Sequence, residues 1–175
     1  MQKLKIEELN RVTPEEYMML EKLPLVVVLD HIRSLNNVGS VFPTSDAFRV
    51  SKILLCGITA VPPDAEIHKT ALGAENSVQW QYFKETKEAV MALQADNYTV
   101  LAIEQVKGSI MLDNLILDKA KKYAVVLGNE VKGVQQEVVD ICNGCVELPQ
   151  YGTKHSLNVA VTAGIVIWDF FKQLQ

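Results

Sequence analysis

Four short runs of apolar residues recur along the chain and set the strongest limit on its fold. The runs are rich in valine, leucine and isoleucine and occupy residues 25–29, 53–56, 99–103 and 123–127. Continuous apolar runs of this length are typical of strands that are buried on both faces. Helical patterns lie between the runs, at residues 38–48, 85–95 and 135–142. Strands that alternate with helices predict an α/β fold, in which a mainly parallel sheet carries helices on both faces.

Both ends of the chain depart from this alternation. Thr13, followed by Pro14 and two glutamates, is a typical helix start. Residues 1–22 are therefore predicted to form a short N-terminal helical extension, ahead of one domain at residues 23–175. The last helix, predicted at residues 156–172, is apolar almost all round, so it has to be covered on more than one side. We expect one side to pack on the sheet and the other to be covered by more core or, preferably, by a second copy in a homodimer.

The composition is that of a globular protein, with 49% hydrophobic and 22% charged residues among 175. The net charge of −4 argues mildly against a nucleic-acid partner, because phosphate binding depends on lysine and arginine. A locally basic face would still be enough, and the run of Lys119, Lys121 and Lys122 is one candidate. The chain opens without a secretory signal, and its uncharged stretch at residues 155–168 is shorter than the roughly 20 residues that span a bilayer. We therefore predict no membrane span and a cytoplasmic location.

The three cysteines cannot all pair, which favours a reducing compartment. Cys142 and Cys145 form a C-x-x-C pair, but a zinc site would need about two more ligands. A redox pair would normally lie where a strand leads into a helix, whereas this pair precedes a short strand predicted at residues 145–148. We predict no metal site and interpret the pair as small residues that flank a turn. A redox or metal protein remains a weak alternative.

Three clusters rich in glycine, asparagine and glutamate follow predicted strands, at residues 36–40, 128–133 and 149–158. In α/β proteins, ligands bind at the carboxyl ends of the strands. None of the clusters has the spacing of a dinucleotide-binding loop or a P-loop. Taken singly, each cluster is explained by turn and capping residues. Their order along the chain is the more informative feature.

An Asn-x-Gly before a helix, then Leu-Gly-Asn-Glu-x-x-Gly, then Ser-Leu-Asn-Val-Ala-Val follow one another in this chain. With these motifs, residues 25–171 resemble the SpoU (TrmH-type) family of SPOUT RNA 2′-O-ribose methyltransferases. The resemblance implies a C-terminal trefoil knot, a rare exception to the rule that protein chains are not knotted. It also implies a homodimer, S-adenosylmethionine as the cofactor and a ribose of tRNA or rRNA as the substrate. A large N-terminal domain that many rRNA-directed relatives carry is absent here, which favours tRNA.

The resemblance assigns roles to individual residues. It implies that the cofactor is bound by Leu127, Gly128, Leu148, Ser156 and Leu157. It implies that the catalytic centre includes Asn37, Pro43, Glu130, Ser156 and Asn158. Helix capping is the alternative interpretation of the serine and the two asparagines, and an exposed loop carboxylate is that of Glu130. We interpret Gly128 as a position where the missing Cβ lets the cofactor approach the backbone.

Pro43 departs from the family pattern, which has at this position an arginine thought to assist the 2′-hydroxyl. The alternative function is therefore a catalytically impaired homologue that binds S-adenosylmethionine or RNA. Proline inside the helix of residues 38–48 is also expected to kink the helix or to make it restart. Asn36 or Asn37 is the predicted cap of that helix. Nearby, Arg49 replaces a usual glycine.

Overall fold

The computed structural model describes the backbone of residues 1–175 and the side chains of residues 1–5 and 8–175. Six α-helices and seven β-strands follow one another along the chain, with short 3-10 turns at Ile6–Leu9, Ala74–Asn76 and Leu112–Asn114. In chain order, the helices and strands are α1 (Pro14–Met19), β1 (Leu23–Asp30), α2 (Leu35–Ala47), β2 (Val50–Cys56), α3 (Ala65–Ala71), β3 (Trp80–Phe83), α4 (Thr86–Ala95), β4 (Tyr98–Ile103), β5 (Ile110–Met111), β6 (Lys122–Leu127), α5 (Gln136–Val139), β7 (Gly144–Glu147) and α6 (Val159–Leu174).

The strands form one sheet in the order β3-β2-β1-β6-β4-β7-β5. Every pair of neighbouring strands is parallel. Each of the four apolar runs forms a strand of this sheet, and the strand predicted at residues 145–148 is β7, one residue earlier. The predicted α/β fold with a mainly parallel sheet and flanking helices is therefore confirmed.

The central strand β1 shows why the strand residues are continuously apolar. Leu25, Val27 and Leu29 pack into one core, which includes residues of α2, α3 and α6. Val26 and Val28 point to the opposite face and pack into a second core with residues of α4 and α5. Since neighbouring side chains of a strand alternate between faces, a sheet covered on both sides needs an apolar residue at every position.

Several boundaries differ from the predictions. The prediction missed β3, β5 and α3 altogether, and α5 ends three residues before the predicted position 142. Helix α2 begins at Leu35, and its N-cap is Ser34, whose Oγ accepts a hydrogen bond from the Asn37 backbone N–H at 3.3 Å. The predicted caps Asn36 and Asn37 are therefore wrong. Helix α6 begins at Val159 behind the N-cap Asn158, so Ser156 precedes this helix rather than opening it.

Helix α2 runs through Pro43. The predicted restart at the proline is therefore wrong. Tertiary packing overrides the low helix propensity of proline here, since α2 is in close contact with α3. A Cβ at Gly39 would overlap with Thr70 and with the Ile67 carbonyl of that helix. Behind α2, Arg49 has a φ of 52°, a left-handed conformation that glycine adopts most easily.

Helix α6 is apolar on two sides, as predicted. Val166, Ile167 and Phe170 are fully buried in the core. Val161 and Trp168, in contrast, are about half exposed, at 53% and 48%. The second apolar side of α6 is therefore open in the single chain. Among the described residues, no helix combines the length and the apolar character needed to cross a bilayer.

Asp30, at the end of β1, is a fully buried carboxylate. It accepts hydrogen bonds from Thr86 Oγ1 at 2.5 Å, from the Gln135 backbone N–H at 3.1 Å and from Gln135 Nε2 at 3.0 Å. These contacts fasten the start of α4 and the segment before α5 to the central strand. Because the donors are partly or wholly buried, each would lose free energy if it were left unpaired.

We therefore predict that Asp30→Asn destabilises the protein, because an amide presents one acceptor oxygen and one donor group to these three donors. The free energy of unfolding should fall by about 1–3 kcal/mol. Urea unfolding followed by circular dichroism measures this change. Asp113→Asn, at an exposed position, is the matched control and should leave the midpoint unchanged. Equal midpoints for the two variants would contradict the prediction.

Candidate active site

A cleft of about 330 Å³ opens at the carboxyl ends of β4, β6 and β7. The loops that follow these three strands form its walls, together with the first turn of α6. The cleft is lined by all five residues predicted to bind the cofactor, which are Leu127, Gly128, Leu148, Ser156 and Leu157. Two of the three sequence clusters therefore meet at one edge of the sheet, where ligands bind in α/β proteins.

Glu130 connects the cleft with the first cluster. Its carboxylate accepts hydrogen bonds from the backbone N–H groups of Arg33 and Ser34, each at 3.0 Å, and from Asn37 Nδ2 at 3.1 Å. The carboxylate thus lies at the N-terminus of α2, where the helix dipole also favours a negative charge. The alternative interpretation of Glu130 as a free, exposed carboxylate is wrong.

The surroundings of Glu130 lower the pKa of its carboxyl group below the ordinary value of 4.5. Partial burial acts in the opposite direction, but it is outweighed by the hydrogen bonds from the backbone of Arg33, Glu130 and Ser34 and from the side chain of Asn37. Glu130 is therefore ionised at neutral pH, and its oxygens are already engaged by donors.

Asn37 extends the connection to the third cluster. Its Oδ1 accepts a hydrogen bond from Asn158 Nδ2 at 3.0 Å. Asn158 Oδ1 in turn accepts from the backbone N–H groups of Ala160 and Val161, at 2.9 and 3.3 Å, and so caps α6. Asn158 is thus both a helix cap and a contact of the first cluster. A chain of hydrogen bonds runs from Glu130 through Asn37 to Asn158 and joins all three clusters.

The loop after β6 is closed on itself. The backbone groups of Asn129 and Gly133 exchange two hydrogen bonds, at 3.0 and 2.8 Å, and Glu104 Oε2 accepts from the Val134 N–H at 2.9 Å. A Cβ at Gly128 would overlap with the backbone of Gly133 and Val134. The loop itself therefore requires a small residue at this position, because its backbone folds back against Gly128.

The remaining predicted residues lie in two different places. Ser156 is exposed on the wall of the cleft, ahead of α6. Pro43 is not among the residues that line the cleft. It lines a separate cavity of about 290 Å³ together with Thr13, Pro14 and Tyr17 of the N-terminal segment. The structure thus brings Asn37, Glu130, Ser156 and Asn158 together and leaves Pro43 apart from them.

Sequence reasoning gave no role to several polar residues of the cleft, among them Glu104, Gln105, Glu147 and His155. The position of Glu104 directly after the buried strand β4 was a usable signal. The cleft carries the carboxylates of Glu104, Glu130 and Glu147 against the ammonium group of Lys132. It is therefore acidic and suits a ligand with a positive charge.

Two other groups considered in the sequence lie outside the cleft. Lys122 begins β6 and lies over the Tyr98 ring, so the run of lysines is at the amino end of the sheet, opposite the cleft. Burial raises the pKa of the Cys142 thiol to about 12 and also raises the pKa of Cys145. Both thiols are free and stay protonated at neutral pH, which disfavours redox chemistry. Among the described side chains, no group of three or more potential metal ligands is found.

The Gly128 backbone contact generates a stability prediction. Gly128→Ala should destabilise the protein by about 1–3 kcal/mol, because the added methyl group overlaps with the backbone of the loop. Thermal unfolding followed by circular dichroism measures the loss. Gly152→Ala is the matched control, since a Cβ at Gly152 meets nothing within 4 Å. If Gly128→Ala and Gly152→Ala have the same melting temperature, the loop accommodates the methyl group and the prediction is wrong.

Known proteins resemble this chain in sequence. The chain is 29% identical over 154 residues to the mouse tRNA (guanosine(18)-2'-O)-methyltransferase TARBP1. This match covers 85% of the chain and 9% of the mouse protein. It is also 29% identical over 149 residues to the 23S rRNA (guanosine-2'-O-)-methyltransferase RlmB of Nitrosomonas europaea, covering 85% of the chain and 56% of that protein. The chain therefore spans little more than half of the bacterial relative and a small part of the mouse one.

A solved structure supports the same relationship. The AdoMet-bound rRNA methyltransferase from Sinorhizobium meliloti superimposes with a TM-score of 0.80 at 25% identity, over 94% of this chain and 62% of that one. The model of the SpoU rRNA Methylase family matches residues 24–168, which include β1 without its first residue, β2 to β7, most of α6 and all three clusters. With this match over most of its length, the chain belongs to the SpoU rRNA Methylase family.

Proposed function

We propose that this chain binds S-adenosylmethionine and transfers its methyl group to a ribose 2′-hydroxyl of RNA, with tRNA favoured over rRNA. Residues 23–175 would form the methyltransferase domain. The observation that carries this proposal is the chain of hydrogen bonds from Glu130 through Asn37 to Asn158. It holds three separate motifs of a methyltransferase family around one cleft. The 2′-O-methylation named for the mouse and Nitrosomonas relatives supports the same reaction.

The residues of the cleft fit this cofactor. Ile103, Leu127, Leu148 and Leu157 supply apolar walls for an adenine ring. The acidic lining complements the positive charge of a sulfonium group. The volume of about 330 Å³ falls in the range of roughly 300–1,000 Å³ that is usual for small-molecule sites. When bound, S-adenosylmethionine supplies an activated methyl group on its sulfur.

The side chains around the cleft would act mainly by positioning, which can supply much of the rate of a group transfer. Glu130 is a poor candidate for the general base, because its pKa is low and its oxygens accept hydrogen bonds from three donors. We assign it the role of holding the start of α2 against the cleft. The exposed Ser156 hydroxyl can donate to the incoming RNA, and Asn37 and Asn158 fix the loops that carry it.

A second candidate function is binding of S-adenosylmethionine and RNA without methyl transfer. The observation that favours it is Pro43, which replaces the arginine of the family pattern and lies behind the N-terminal segment instead of in the cleft. A proline provides no charge to stabilise a developing oxyanion.

One experiment separates the two functions. The wild-type protein and Pro43→Arg are compared for cofactor affinity by calorimetry and for methyl transfer to bulk tRNA and rRNA. We expect similar affinities and a transfer rate about 10- to 150-fold higher for Pro43→Arg, because a charge-assisted contact made only in the transition state is worth about 1.5–3 kcal/mol. Thr44→Arg is the matched control for an added charge on the same helix and should not raise the rate.

Each outcome is decisive. Binding without transfer by the wild-type protein would favour the second function. Equal and fast transfer by the wild-type protein and Pro43→Arg would show that no arginine is needed at this position. If neither protein bound the cofactor, the proposed function would be wrong.

We further propose that the chain forms a homodimer through α6. Val161, Ile165 and Trp168 are 41–53% exposed and follow one another at helical spacing on one side of α6. Trp168 continues this surface onto Phe48 and Phe171, with ring centroids 5.5 and 5.9 Å away. Apolar patches of this kind mark interaction sites on soluble proteins.

Ile165→Asp should therefore convert the dimer to a monomer, because a carboxylate would be buried without a partner at the interface. Multi-angle light scattering at micromolar concentration measures the mass. Ile116→Asp, at a residue that is 90% exposed elsewhere on the surface, is the matched control and should leave the dimer intact. Ile167 is unsuitable for this test because it is fully buried within the single chain. A monomeric wild-type protein would contradict the proposal.

A further inference from the structure

A second cavity, of about 540 Å³, lies between α3 and the start of β3. The segment that follows β2 closes it with Pro62 and Pro63, and Ile67 of α3 forms part of its floor. Glu75, Asn76 and Trp80 line the opposite side. None of these residues belongs to the cleft at the carboxyl ends of β4, β6 and β7.

Glu75 is the unusual residue of this cavity. Its side chain is only 8% exposed. Oε1 contacts His68 Nδ1, while Oε2 is buried and has no hydrogen-bond partner in the described part of the chain. Burial acts to raise the pKa of Glu75, but the contact with His68 and nearby backbone N–H groups lower it below 4.5, so the carboxylate stays charged at neutral pH. A buried charged acceptor without a partner is costly and is normally satisfied by a ligand, an ion or water.

The rest of the cavity suits a flat ring. The half-buried indole of Trp80 faces a cavity whose other walls include two prolines and Ile67. Proteins that read single-stranded RNA stack its bases on aromatic side chains and bind their Watson–Crick edges through polar groups. Trp80 and Glu75 line the same cavity, so they provide one group of each kind.

We propose that this cavity binds the guanine base of an unpaired nucleotide in the RNA substrate, with Trp80 stacked on the ring and Glu75 accepting from its N1–H and N2–H groups. This inference rests on the proposed function. An ionised carboxylate is only an acceptor, so it pairs with the adjacent donors of guanine and repels the N1 acceptor of adenine. Both oxygens meet the ring only when the Glu75 side chain turns into the cavity and the His68 imidazole, which is 68% exposed, leaves Oε1.

The cavity lies next to the helix that carries the first motif. Ile67 lines the cavity, and its carbonyl is so close to Gly39 of that motif that a Cβ there would overlap with it. Asp64 and Glu75 make the guanine cavity acidic, so the phosphates of the bound nucleotide would lie outside it. Lys52 lines a neighbouring cavity that shares Glu75 and Trp80, where it can meet a phosphate.

The test uses the full chain and three soluble nucleotides, GMP, IMP and AMP. Quenching of tryptophan fluorescence reports binding, since Trp80 and Trp168 are the two tryptophans of the chain. We expect saturable quenching by GMP, and binding of IMP and AMP weaker by at least about 10-fold, the discrimination expected of one good paired contact. In Trp80→Phe the quenching should disappear while the fluorescence of Trp168 remains.

Glu75→Gln should weaken GMP binding by at least about 10-fold. Glu66→Gln is the matched control, because Glu66 lies on α3 beside the cavity but does not line it, and it should bind GMP as the wild-type protein does. If Glu75→Gln fails to fold, the comparison of GMP, IMP and AMP on the wild-type protein still tests whether the cavity prefers guanine. Equal binding of GMP and AMP, or quenching that persists in Trp80→Phe, would overturn the inference.

Calorimetry with S-adenosylmethionine on the same samples separates this inference from the proposed function. If the cofactor binds but GMP is not preferred, only the guanine site is wrong. If GMP quenches Trp80 but the cofactor does not bind, the cavity is a guanine site and the proposed methyl transfer is wrong.

Discussion

The carboxylate of Glu130 is the contact on which the arrangement of the site depends. It projects from the loop after β6 and accepts from two backbone N–H groups and one side-chain amide at the start of α2. Backbone N–H groups at a helix start have no partner within the helix, so an acceptor placed there satisfies them and also interacts favourably with the helix dipole. Burial opposes the charge, yet the donors outweigh it and lower the pKa of the carboxyl group.

Through this contact, residues far apart in the chain become one unit. Glu130 is 93 residues from Asn37, and Asn37 is 121 residues from Asn158. Asn158 caps α6, which packs its buried side into the core and leaves an apolar side open. The cleft, the start of α2 and the proposed dimer helix are therefore joined by two side-chain hydrogen bonds.

The central sheet could be predicted from the sequence, because a strand that is buried on both faces has to be apolar at every position. Residues 25–29 of β1 are such a run. The sequence did not reveal β3, an edge strand whose middle residues Gln81 and Tyr82 are exposed. The start of α2 was placed wrongly because Ser34, Asn36 and Asn37 are all good caps. Only the fold shows that the Asn37 side chain is taken by Glu130 and Asn158, leaving Ser34 to cap the helix.

The members of the site could be named from motifs, whereas their physical roles could not. Gly128 was expected to make room for a cofactor, and the structure adds that it makes room for the backbone of residues 133 and 134, a contact that spacing does not reveal. Pro43 was expected to kink α2 or to make it restart, but the helix runs through this residue and packs against α3. On α6, Ile165 and Ile167 are the same residue type two positions apart, and only the three-dimensional packing shows that the first is open and the second buried.

The most direct test of this account is a double-mutant cycle between Glu130→Gln and Asn158→Asp, measured as the free energy of unfolding. Asn158→Asp keeps the cap of α6 but removes the donor to Asn37, and Glu130→Gln weakens the acceptor on the other side of Asn37. We predict that the two residues are coupled through Asn37 by at least about 0.5 kcal/mol. Effects that add to within about 0.3 kcal/mol would contradict it, because the three motifs would then be held in place independently.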